Sequence, residues 1–148
     1  MSIQEKKVLV NIFGSLLIFG SYCYYVFGLN GEENLAEVND IKFWAFIILS
    51  YIPIIIVAKV IIYIVFLMIN KAVTDEDDPG FEDEFDKLIQ LKAERNGNFI
   101  FYFGFIAGFA FIALDYPLWT LFACMAGSGL ISEITSELWK FYFYRKGI

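Results

Sequence analysis

The stretch "IPIIIVAKVIIYIVFLMIN", residues 52–70, decides how this chain is read. It closes an apolar run that starts at Phe43 and is broken by one charge, Lys59. As a helix, residues 43–69 extend over about 40 Å, more than the ~30 Å hydrocarbon core of a bilayer. No soluble domain of this size needs such a segment. An ammonium within it is costly unless it is paired or reaches an interface.

Three more segments are long and apolar enough to cross, at about residues 8–27, 98–114 and 117–139. Inside a membrane only helices or closed barrels satisfy the backbone, and these runs are too long and too unalternating for barrel strands. The expected fold is therefore all-α: one domain of four transmembrane helices in an antiparallel bundle. The 148 residues are 59% hydrophobic and 20% aromatic, which leaves room for little else. The first segment follows a charged start but exceeds a signal h-region, and no A-x-A site follows it, so it reads as a retained span.

Lysine and arginine set the orientation. Lys6 and Lys7 precede the first span, and Lys140, Arg145 and Lys146 end the fourth. Lys71, Lys87, Lys92 and Arg95 lie between the second and third, whereas the other two connections hold only Lys42. This pattern predicts a multi-pass protein of the cytoplasmic (inner) membrane with both termini cytoplasmic.

Composition excludes several functions. A net charge of -6 argues against nucleic acid, which needs a basic face. Histidine is absent, and with it the commonest general base and metal ligand. Cys23 and Cys124 form no C-x-x-C. Four acids, Asp75, Asp77, Asp83 and Asp86, with Gly80 between them, fall at EF-hand-like loop positions. Pro79 occupies a ligand position, however, and Asp86 replaces the bidentate glutamate. No catalytic, metal or cofactor constellation is expected.

The connection "TDEDDPGFEDEFDKLIQLKAERNGN", residues 74–98, reads as a cytoplasmic amphipathic helix over about 79–96. Asp78 suits its N-cap and Pro79 its first turn. Phe81, Phe85, Leu88 and Ile89 share one face and are expected to cover residues 64–69 where they leave the membrane. Gly97 marks a potential bend into the third span. "DEFDKLIQLKAER", residues 83–95, resembles the D-E-R-D-x-x-I-x-x-K-A-x-R pattern of small bacterial and archaeal membrane proteins grouped as DUF2178, a family of unknown function. Phe85 stands where that pattern has a basic residue. The resemblance implies a small multi-span protein and no particular activity.

Tryptophan supplies a depth scale, because it prefers the membrane interfaces. Trp119 and Trp139 stand 20 residues apart, about 30 Å along a helix. With Trp44 as the outer anchor of the second span, Lys59 lies roughly 22 Å below it, level with Glu133. Asn11 and Asn98 fall at similar depth in the first and third spans. These four residues are the candidate intramembrane polar layer. Lys59 either pairs with Glu133, snorkels to the inner headgroups, or holds an anionic group. Small residues mark close helix approach: Gly104 and Gly108 in "FGFIAGFA", and Ala126 with Gly129 beside Glu133.

Three function classes follow. The favoured one is a non-catalytic accessory, regulatory or immunity-type protein acting through a membrane partner, a second copy or a larger protein. The second is a subunit of an oligomeric transporter or channel. The third is a protein that binds a lipid-like ligand, or an enzyme embedded among membrane lipids.

Overall fold

Four long helices account for most of the chain in a computed structural model that describes residues 1–75, 77–78, 80 and 82–148. Helix α1 covers Ile3–Cys23 and continues as a π-helical turn, Tyr24–Leu29. A short helix α2, Gly31–Asn34, and a 3-10 turn, Leu35–Glu37, lead to α3, Ile41–Thr74. Helices α4, Glu84–Ala113, and α5, Leu118–Lys146, complete the chain. α1 with its π-helical turn, α3, α4 and α5 are each long and apolar enough to cross a membrane.

Local chemistry starts and stops these helices. Ser2 caps α1 in a reciprocal capping box with Glu5. Asp40 caps α3, its side chain accepting from the Lys42 amide at 3.0 Å. The cap of α4 is Asp83, not Asp78. Asp83 and Asp86 satisfy each other's amides, so the motif at residues 83–95 begins with a capping box. Asp78 is engaged elsewhere, as described below, and Pro79 and Phe81 lie outside the described residues.

The α4–α5 turn is a Schellman motif. Tyr116 N donates to Phe111 O and Asp115 N to Ile112 O, with Asp115 left-handed at φ 62°. Tyr116 packs its ring on Phe111, the apolar contact that usually accompanies this motif. Pro117 follows as the N-cap of α5.

α4 and α5 pack along their whole length. A Cβ on Gly97 would sit 2.6 Å from Ser132 O, and one on Gly104 would strike the Ser128 side chain. One on Gly108 would lie 2.9 Å from Leu121 Cδ1. Glycines on α4 thus face the Ser128, Ser132 and Ser136 stripe of α5, the small-to-small contact that lets backbones approach closely. Gly97 is a packing position in a continuous helix rather than a bend. Ala126 and Gly129 lie off this contact: Ala126 is exposed, and a Cβ on Gly129 would meet nothing within 4 Å. Their expected packing role is not what the structure shows, because the close approach forms one helical face away.

α1 packs on both α5 and α3, and α3 touches little besides α1. Pro53 lies within α3, which continues through it. Among the described residues the expected cover over the end of α3 does not form. Ile64, Val65, Met68 and Ile69 stay exposed, as do Phe85 and Leu88. The start of α4 turns Ile89 and Ala93, both 0% exposed, into the molecule instead.

Candidate functional site

Glu133 of α5 sits between α1 and α3. Its Oε1 accepts a hydrogen bond from Ser15 Oγ at 2.8 Å and forms an ion pair with Lys59 Nζ. Three helices therefore meet on one carboxylate oxygen. Ser15 is 1% exposed, while the Lys59 and Glu133 side chains are 31% and 29% exposed. Lys59 turns inward rather than down its own helix. A charge-assisted bond in low dielectric is strong, and breaking either partner leaves the other costly to hold.

Of the other two members of the expected layer, Asn11 is half-buried one turn from Ser15 and lines a cavity with Lys59. Asn98 is exposed on α4 and does not join the group. Its helix packs on α5 and not on α3, so equal depth does not bring it near Lys59. Ser15 is the member that depth alone did not single out. Its signal is periodicity, because it interrupts the buried stripe Val8, Ile12, Ser15, Ile18.

The anchors divide in the same way. Trp119 and Trp139 are exposed. Trp44 is not a surface anchor: it is 8% exposed, stacks on Phe122 at 5.1 Å and donates from Nε1 to Val38 O at 2.6 Å. It belongs to a core with Val26, Phe43 and Phe27. The π-helical turn beside it leaves carbonyls free, and Asn30 and Asn34 amides bond those of Tyr25 and Val26. Cys23 and Cys124 are free thiols.

Both termini lie at the opposite end, where charges knit the chain. Lys7 Nζ pairs with Asp78 at 2.6 Å, and Tyr63 Oη donates to the same carboxylate at 2.5 Å. Burial pushes the Asp78 carboxyl up, but the hydrogen bonds from Lys7, Tyr63 and the Gly80 amide outweigh it and hold the group below its ordinary value of 3.8. Lys140 pairs with Glu137 at 2.8 Å, and Tyr144 Oη donates to Asp86 at 2.9 Å. Asp77 pairs with Lys71 at 3.1 Å. Of the acids in the EF-hand-like stretch, Asp77 is in an ion pair and Asp83 and Asp86 form the helix cap.

Several of these residues border an open cavity of about 210 Å³. All four long helices contribute, with Lys59, Asn11 and Gly14 at its deep end and Glu82, Asp86 and Lys140 nearer the termini. A shallower groove of about 540 Å³, lined by Tyr22, Asn34, Asp40 and Lys42 among others, opens at the Trp44 end. Between the two stand packed rings: Tyr51 lies 5.1 Å from Tyr22 and 6.2 Å from Phe19. Tyr22 Oη is held by Ile47 O at 2.8 Å.

No family model, no curated protein and no solved structure matches this chain.

Proposed function

We propose that the chain is a non-catalytic multi-pass protein of the cytoplasmic membrane, with both termini cytoplasmic, that acts by presenting α3 to another membrane protein. The observation that carries this reading is the state of α3. It is the most apolar of the four, its most apolar stretch has no buried residue, and only α1 holds it along any length. The four helices form a bundle in the membrane on this reading, with one flank left for a partner. The ionisable candidates support a structural rather than a catalytic role, since Glu133 is spent on Ser15 and Lys59. The small multi-span character that the residues 83–95 resemblance implies agrees with it.

The test is photo-crosslinking in native membranes from Val57 and Val60 on α3, with Phe103 on α4 as the control; all three are exposed. A discrete protein adduct from the α3 positions and none from Phe103 is the expected result. Its mass distinguishes a second copy from a different protein. Lipid adducts alone from α3 would reject the reading.

One observation favours a transporter or channel subunit as the second reading. The cavity and the groove approach each other from opposite ends and are separated by the Phe19, Tyr22 and Tyr51 rings and the Lys59–Glu133 pair. Solute flux through liposomes holding the purified chain alone would favour this reading over the first.

A further inference from the structure

We infer that the cavity at the terminal end is a binding site for a small organic cation, a property that goes beyond the partner reading and does not depend on it. The first ground is its wall. Val8, Ile62 and Phe66 give it apolar surface, while Tyr63 and Tyr144 add rings with hydroxyls already engaged. An apolar pocket with a few placed polar groups is the usual form of a small-molecule site. At about 210 Å³ it suits a ligand below drug size.

The second ground is charge. Three lysines line the cavity, and each is neutralised within the chain: Lys7 by Asp78, Lys59 by Glu133 and Lys140 by Glu137. An anion entering here would have to displace a carboxylate from a formed pair. The lining carboxylates are not balanced in the same way. Glu137 is consumed by Lys140, but Glu82 has no partner among the described residues, and Asp86 meets a neutral tyrosine and its own helix cap. Two negative charges therefore remain at the start of α4, in a cavity that Phe66 of α3 and Tyr144 of α5 also line, while the Tyr63 ring already carries Lys7 over it at 5.6 Å. Carboxylates and aromatic faces together are the recognition chemistry of substituted ammonium groups.

The third ground is access. Glu82 is exposed and Asp86 half-buried, so the acidic side of the cavity opens toward solvent at the termini. Lys59, Asn11 and Gly14 line the far end. A cation would enter head or body first from the terminal end and stop above the Lys59–Glu133 pair.

Equilibrium dialysis of the purified full chain against benzyltrimethylammonium tests this, with benzylsulfonate as the anionic counterpart of similar size. Saturable binding of the cation at one site per chain is expected, with the sulfonate bound at least tenfold more weakly. Glu82→Gln removes an exposed charge and should weaken the cation about threefold. Asn11→Trp fills the deep end and should abolish binding. Because that variant is bulky, Glu82→Gln stands as the decisive change, and its thermal unfolding should match the parent. Absence of saturable cation binding, equal binding of the sulfonate, or unchanged affinity in Glu82→Gln would each overturn the proposal.

Discussion

Lys59 shows how a single charge in an apolar run can be tolerated. Its ammonium is neither bare nor stretched to the headgroups; it is held by Glu133, which Ser15 also contacts. Lys59→Met would leave Glu133 without its counter-charge and should cost about 2 kcal/mol, below the fully buried range because both side chains are about 30% exposed. Glu133→Gln should cost less, since its oxygen still accepts from Ser15. Combining the two should recover about 1–2 kcal/mol, read from unfolding in detergent as a double-mutant cycle. A coupling energy near zero would mean that the contact contributes nothing. Asp78 gives a pH dependence of definite sign. Its folded pKa is depressed, so its tether to Lys7 and Tyr63 is intact above its ordinary value and is lost as pH falls through the lower, folded one. Hydrogen exchange near Asp78, corrected for intrinsic rates, should show protection at pH 5 and less at pH 3. Asp78→Asn should show the low protection at both.

At the scale of elements, the α4–α5 hairpin is the firmest unit. Gly104→Val would drive two methyls into Ser128, and separation of the helices should cost about 3 kcal/mol. Unfolding in detergent checks this, and the same change at exposed Phe103 is the control, expected within about 0.5 kcal/mol. The turn points the other way. Asp115 occupies a left-handed position that glycine takes without strain, so Asp115→Gly should stabilise the hairpin by up to about 1 kcal/mol. The segment over residues 83–95 earns its pattern structurally: Asp83 and Asp86 start the helix, and Ile89 and Ala93 bury its first turns.

For the whole molecule, α1 is the hub, with α3 on one side and the α4–α5 hairpin on the other. Ends are distinct in character, aromatic around Trp44 and ionic around the termini. On the proposed topology, which rests on the lysine and arginine distribution, the ionic end faces the cytoplasm. Single cysteines at Ser2 and Gly147, in a background lacking Cys23 and Cys124, should react with an impermeant maleimide in inverted vesicles only. A cysteine at Ala36 should react in right-side-out vesicles only. The reverse pattern would invert the topology.

Hydropathy made the four long helices and their order legible in sequence, because length and apolar run are local properties, whereas the one cap read there, Asp78, gives way to Asp83. A rise of about 1.5 Å per residue puts Lys59 and Glu133 at one level along their helices, and the ion pair agrees with that, although Trp44 is no surface anchor. What depth could not decide was adjacency. Asn98 shares that level yet is exposed on a helix that packs on α5, and Ser15 joins the pair because α1 packs on both α3 and α5. Trp44 has the composition of an interface anchor, but the π-helical turn and Phe122 bury it. Gly129 and Ala126 looked like a packing stripe, while the serines one face away meet the glycines of α4. Helix order around the axis is a global choice among faces that are almost equally apolar, and only tertiary packing makes it.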